Sequence, residues 1–153
     1  KPMTAYIAFD PGLSGAWGAV DHNGKFIGCG DLPSVDKIIN TNEVWMEICK
    51  VTHGMDREFV IEQVSAMPGQ GVTSMFTFGG AYMACIAIAQ RSMCPWMLVR
   101  PRAWKKDMGL TADKDGSLDM AREKWPQAPL SRKKDNGRAE ALLIAEWLRL
   151  QNS

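Results

Sequence analysis

Tyr6-Ile7-Ala8-Phe9-Asp10-Pro11-Gly12-Leu13-Ser14-Gly15-Ala16 runs from an apolar tetrad into an acid, a Pro-Gly pair and a second glycine. Four apolar residues in a row predict a short buried strand that ends at Asp10. Pro11-Gly12 forces a turn, and Ser14-Gly15 prolongs it. Ala16 to Val20 then reads as a second strand. Asp21-His22-Asn23-Gly24 is a hairpin signal, with Asn-Gly favouring type I′ geometry. Lys25 to Gly30 returns as a third strand. An antiparallel meander over about residues 5–30 is therefore expected.

Beyond the meander, strand and helix patterns alternate. Asn42 is placed to cap a helix that runs to about Val51, with Val44, Trp45, Ile48 and Val51 at helical spacing. Gly54 ends it. Phe59 to Val64 reads as a strand covered on both faces, because Val60 and Ile61 are both apolar before Glu62. A Gly- and Met-rich loop, 65–73, leads into a long helix over about 74–91. That helix is rich in small residues, and its Gly79-Gly80 pair calls for a packing or loop reason. Pro95 to Val99 is a fifth strand. Short helices follow, one beginning at Pro101 and closed by Gly109, the other over 115–125. Residues 129–136 are polar, basic and irregular. A last helix spans about 137–150. This order predicts an α/β fold, a mixed five-stranded sheet with helices on both faces.

The chain has 153 residues, 46% of them hydrophobic, which suits one compact unit over residues 1–153. The most apolar run, 81–89, is far shorter than a bilayer span, so no membrane partner is expected. No apolar leader with a cleavage site precedes the first strand, so no secretory signal is expected. Cys29, Cys49, Cys85 and Cys94 form no C-x-x-C pair and lie among apolar residues. They read as core thiols in a reducing compartment rather than as a zinc site or a disulfide framework.

Net charge is only +1, but its distribution is uneven. Residues 1–90 carry 5 basic and 9 acidic side chains, whereas residues 91–138 carry 12 basic and 6 acidic. That division suits carboxylates that hold metal beside a surface that holds phosphates. Asp10 and Glu62 each follow an apolar strand. If the two strands are neighbours, both acids emerge at one sheet edge, where α/β proteins place ligand sites. A buried carboxylate pair is unfavourable unless a cation neutralises it, so the pairing predicts a divalent metal. Asp135 and Glu140 flank the start of the last helix. They read either as helix-capping acids or as the completion of a four-carboxylate cluster. Such a cluster holds two Mg²⁺ around a scissile phosphate, one activating water and the other stabilising the leaving oxygen. Mn²⁺ suits the same oxygens.

Lys114 is placed to touch the scissile phosphate and orient the attacking water. Arg100, Arg102, Lys105 and Lys106 form one basic group, and Arg132, Lys133 and Lys134 another. Either can grip DNA phosphates without reading sequence. Gln70, Thr73 and Ser74, in or beside the flexible loop, can probe an unpaired or distorted base. Met75, Phe76 and Phe78 read as core or dimer packing. A Gly-rich turn after a strand can also cradle nucleotide phosphate. With no Gly-Lys-Ser/Thr and no G-x-G-x-x-G present, no nucleotide cofactor is expected.

Phe9-Asp10-Pro11-Gly12 with Ser14-Gly15-Ala16, then Ile61-Glu62-Gln63, then Lys133-Lys134-Asp135-Asn136-Gly137-Arg138-Ala139-Glu140-Ala141-Leu142-Leu143-Ile144-Ala145 together resemble the RuvC-type Holliday junction resolvases of the ribonuclease H-like superfamily, in particular their phage and chloroplast members. The resemblance implies a ribonuclease H-like fold and metal ligation by Asp10, Glu62 and the C-terminal acids. Many bacterial members space those last two acids three residues apart and end on aspartate. Here the spacing is five and the last acid is glutamate, so Glu140 carries over through Ala-Glu-Ala-Leu. The other ligand falls on Asp135, as in the chloroplast-like Lys-Lys-Asp form, or on Asn136. The family's assisting lysine falls on Lys114. The resemblance further implies a homodimer, with residues 74–91 at its interface and 67–73 reaching the centre of a four-way DNA junction. Symmetric nicks in opposing strands would follow. A cytoplasmic location (the host cytoplasm, if phage-encoded) is expected ahead of an organellar matrix. Two alternatives share the acids. One is a nuclease acting more broadly on branched DNA or RNA/DNA hybrids, the other a catalytically idle junction-binding protein.

Overall fold

β1 (Thr4–Asp10) lies at the centre of a five-stranded sheet ordered β3-β2-β1-β6-β7. The computed structural model describes residues 3–153, without the side chain of Lys114. β2 (Ala16–Asp21) and β3 (Phe26–Asp31) complete the expected meander, antiparallel throughout. β4 (Ser34–Val35) and β5 (Ile38–Ile39) make a small separate hairpin, followed by α1 (Thr41–Val51). β6 (Asp56–Glu62) pairs parallel with β1, and β7 (Trp96–Val99) pairs parallel with β6. α2 (Val72–Arg91) connects those two strands. α3 (Pro101–Asp107), α4 (Lys114–Lys124), a 3-10 turn over Lys133–Asp135 and α5 (Asn136–Gln151) finish the chain. The mixed sheet with helices on both faces is as the sequence predicts.

The alternation of β1 divides the core. Ala5, Ile7 and Phe9 face α1 and α2, with Phe9 stacked on Phe59 at 6.3 Å between ring centroids. Tyr6 and Ala8 face the other way, toward Trp104, α4 and α5. Period-two side-chain direction makes this two-sided burial possible. α5 lies close against the meander because residue 18 is glycine. A Cβ there would sit 2.8 Å from the Leu142 backbone nitrogen.

Several local expectations need correction. The 32–40 segment forms the β4–β5 hairpin, which has no strong alternation to announce it. At its tip Asp36 and Lys37 take positive φ, 53° and 63°. The cap of α1 is Asn40, whose side chain accepts from the Glu43 N–H at 3.1 Å, and not Asn42. The β2–β3 turn is not type I′, because among its residues only Gly24 has positive φ. Asp21 instead accepts from the Asn23 N–H through its side chain at 2.8 Å and from the Gly24 N–H through its carbonyl at 3.0 Å.

The expectation that no segment could span a bilayer also fails by length and composition. α2 has 20 residues with mean hydropathy 1.6 over its most apolar window. Its setting points elsewhere. It joins two adjacent parallel strands and packs Ala81, Cys85, Ile88 and Ala89 into the core, the crossover geometry of an α/β layer. All four cysteines are free thiols; only Cys85 is fully buried.

Candidate active site

Phe9 and Ile61 are register partners in the parallel β1–β6 pair, so the next residues, Asp10 and Glu62, leave the sheet side by side. Pro11 and Gly12, the latter at φ 133°, turn the chain away immediately after Asp10. Glu140 arrives from the second turn of α5. Gly137 permits that approach: a Cβ there would lie 3.2 Å from the Ser14 carbonyl oxygen and 3.6 Å from Asp10 Oδ2. Asp10, Glu62, Glu140 and Lys105 thus line one cleft of about 420 Å³, with Val64, Phe78 and Pro101 among its apolar walls.

Glu62 is 7% exposed and Glu140 5%. The Trp104 indole Nε1–H donates to Glu62 Oε2 at 2.7 Å. Glu62 also shares a hydrogen bond with Asp10. Burial pushes the Glu62 carboxyl above the usual carboxylate range. The Trp104 bond opposes that rise, the Glu140 charge adds to it, and Lys105 and Asp10 pull back. Glu140 Oε2 accepts from Ser117 Oγ at 3.0 Å and pairs with Lys105 Nζ at 3.2 Å. Among the described residues, the cleft therefore gathers the carboxylates of Asp10, Glu62 and Glu140 with the Lys105 ammonium. Among the described residues, no three acidic, histidine or cysteine groups stand close enough to enclose an ion as their side chains now lie. The donor set still fits a hard divalent cation. It is all oxygen, and Glu62 and Glu140 are largely desolvated.

Asp135, expected as a fourth ligand, does not line this cleft. Its carboxylate, 1% exposed, is occupied by Arg132: Nη2 at 2.6 Å and Nε at 2.9 Å on Oδ1, and the backbone N–H at 2.8 Å on Oδ2. Arg132 and Arg138 both reach on to Asp31, at 3.4 and 2.8 Å. Burial works to raise the Asp135 carboxyl, but the Arg132 bonds and the Arg138 charge outweigh it and hold it below the usual range. The arginine network thus holds one of two acids that the sequence alone would group together, while the other lines the cleft. Asn136 begins α5, half-buried.

The expected phosphate-binding residues divide similarly. Arg102, Lys105 and Lys106 line a groove of about 910 Å³ that meets the acid cleft at Pro101 and Lys105. Arg100 is exposed just before α3. Lys133 and Lys134 are exposed, while Arg132 is engaged as described. Gln70, Thr73 and Ser74 line a groove of about 280 Å³ that shares Leu13, Ser14 and Phe78 with the cleft. Lys37, from the unforeseen hairpin, stands on the same groove. Gln70 Oε1 is buried there with no donor among the described residues. Phe76 is 80% exposed and so is no core residue, whereas Met75 and Phe78 are half-buried. Lys114 opens α4, but its side chain lies outside the described residues.

The bonds that Trp104 and Ser117 make to the cleft acids are not legible in the sequence. Each lies far along the chain from its acid, by 42 and 23 residues, and no local pattern marks it.

No family model matches the chain. A stretch of 50 residues, 30% of the chain, is 54% identical to the chloroplastic Holliday junction resolvase MOC1 of Chlamydomonas reinhardtii, and the chain matches only 6% of that relative's length. Over nearly its whole length the fold is similar to that of Thermus thermophilus RuvC. The structure of that protein in complex with Holliday junction substrate gives a TM-score of 0.65 at 15% identity, covering 99% of this chain and 96% of that one. A second Thermus thermophilus RuvC structure gives 0.61 at 16% identity, covering 97% and 96%. The chain has the RuvC fold, the ribonuclease H-like architecture that its motifs imply.

Proposed function

We propose that this chain of RuvC fold is a metal-dependent endonuclease that resolves four-way DNA junctions by paired nicks. One observation carries the reading: Asp10, Glu62 and Glu140 reach a single cleft from three different elements, and that cleft opens onto a groove lined by Arg102, Lys105 and Lys106. The likeness to a junction-bound RuvC and to a chloroplastic resolvase supports the choice of substrate.

Asp10, Glu62 and Glu140 would hold the cation, Mg²⁺ or Mn²⁺ and two of them if Asp135 or Asn136 turns in. Bound metal would activate water and stabilise the leaving 3′-oxygen. The chain's own residues supply the rest. Lys105, already within 3.2 Å of Glu140, binds the phosphodiester at the cleft, and Arg102 and Lys106 hold the flanking backbone. Gln70, Thr73 and Ser74 contact bases beside the cut. Phe78 and Val64 exclude water from one side of the cleft. Lys114 is assigned by resemblance to orienting the attacking water.

The exposed face of α2 suits a second copy. Val72, Phe76 and Met83 are 85%, 80% and 57% exposed, and a Cβ added at Gly79 or Gly80 would meet no other described part of the chain within 4 Å. Small residues between apolar ones let a partner helix come close. A two-fold dimer then matches a two-fold substrate. Unpaired thiols suit a reducing compartment, which we assign as the cytoplasm.

The test is cleavage of a four-way junction, a flap, a duplex and an RNA/DNA hybrid with Mg²⁺ or Mn²⁺. Symmetric nicks confined to opposing junction strands are expected. Comparable cutting of all branched substrates would replace the reading with a broader debranching nuclease. Tight junction binding without cutting would replace it with an idle binding protein.

A further inference from the structure

We infer that Trp104 and Ser117 are positioning residues for the carboxylates of the cleft, an assignment that rests on the metal-nuclease reading above. Glu62 ends β6 and Glu140 belongs to α5; neither acid's own element fixes the rotation of its carboxylate. In each case a buried neutral donor from a third element does so. Trp104 of α3, fully buried, gives its indole N–H to Glu62 Oε2 at 2.7 Å. Ser117 of α4, also fully buried, gives its hydroxyl to Glu140 Oε2 at 3.0 Å. Each bond is made to one oxygen of a carboxylate that lines the cleft.

Lys105 differs from these two donors. It carries charge, is partly exposed and sits in the cleft, so an arriving cation competes with it for Glu140, and an arriving phosphate competes with Glu140 for it. A neutral, enclosed donor faces no such competition. It keeps the carboxylate oriented before and after a cation arrives. The rotation of both acids is thereby settled in advance, which lowers the entropic cost of closing around an ion.

The experiment is an Mn²⁺ titration of the full chain followed by electron paramagnetic resonance, with a thermal melt of each variant. The parent should bind Mn²⁺ in a manner lost in Glu62→Gln. Trp104→Phe and Ser117→Ala should each weaken Mn²⁺ binding by roughly 10- to 100-fold. Trp147→Phe is the control. It removes a comparable indole bond, Trp147 Nε1 to Asp107 Oδ2 at 2.8 Å, outside the cleft. It should lower the melting temperature and leave Mn²⁺ affinity unchanged. Affinity within twofold of the parent in Trp104→Phe and Ser117→Ala overturns the inference. So does an equal loss in Trp147→Phe. Should Trp104→Phe fail to fold, Ser117→Ala decides. A parent that binds no Mn²⁺ at all, or binds it unchanged in Glu62→Gln, overturns the metal reading itself.

Discussion

Two acidic groups flank the start of α5, and they are built in opposite ways. Around Asp135, two carboxylates meet two guanidiniums: Asp31 and Asp135 are bridged by Arg132 and Arg138, and both acids are held below the usual carboxylate range. Around Glu140, Lys105 pairs with that one acid of the cleft, and the neighbouring Glu62 is pushed above that range, chiefly by burial. The first group is electrostatically complete and ties the β3 end to α5. The second holds the Glu62 carboxylate largely desolvated, which disfavours folding of its charged form. A fold keeps such a penalty where a ligand can relieve it. The contrast separates structural from reactive acids more sharply than their spacing in sequence.

The comparison breaks most visibly at Glu62. In metal-free buffer, Glu62→Gln should raise the melting temperature at neutral pH. Removal of the desolvated charge stabilises by about 1 kcal/mol, or roughly 2–4 °C in a chain of this size. The same change, like Asp10→Asn, should lower junction cutting by roughly 100-fold or more while binding persists. A fall in stability instead would mean that the cleft is as well balanced as the arginine network.

A reversed pattern is expected at Asp135. Asp135→Asn weakens the Arg132 bonds and should destabilise by about 1–2 kcal/mol in a denaturant melt. Its cutting should fall by less than about tenfold, as for a change in a supporting contact rather than a ligand. If cutting instead collapses as in Asp10→Asn with stability intact, Arg132 releases this acid during the reaction and Asp135 is a ligand after all.

The smallest and sharpest effect lies in acid titration. Asp135 is lowered in the folded chain, so its stabilisation is full above its unfolded value of about 3.9 and disappears as pH falls through the folded one. Glu62 is raised. The penalty it imposes is absent below its unfolded value of about 4.3, grows as pH rises through the folded one, and then levels off. Melting temperatures of the two variants, measured against the parent from pH 7 to pH 3, should therefore start on opposite sides and converge. Curves that run parallel would erase the distinction.

Much of the fold is legible along the chain. Tyr6 to Phe9 and Phe59 to Ile61 announce buried strands. Pro101 marks the start of α3 correctly, and Asp10 and Glu62 stand where their strands end. The β4–β5 hairpin is not legible, because two-residue strands with exposed Val35 and Ile38 leave no periodic trace. The exposure of Phe76 is equally hidden. An apolar residue on a helix does not reveal whether its neighbour is this core or another surface.

The five strands of the main sheet, the helices, the turn after Asp10 and the place of Glu140 near the start of the last helix are written in the sequence alone. These follow from short-range rules: side-chain period, backbone freedom at proline and glycine, and helix capping. Only the tertiary structure decided which acids share a cleft. Asp135 and Glu140 lie five residues apart, yet Arg132 turns one into a structural tie, while Ser117 and Lys105 hold the other at the cleft. Arg132 is a local partner of Asp135, three residues before it, but Ser117 lies 23 residues from Glu140, and long-range contact of that kind is what a linear pattern does not encode.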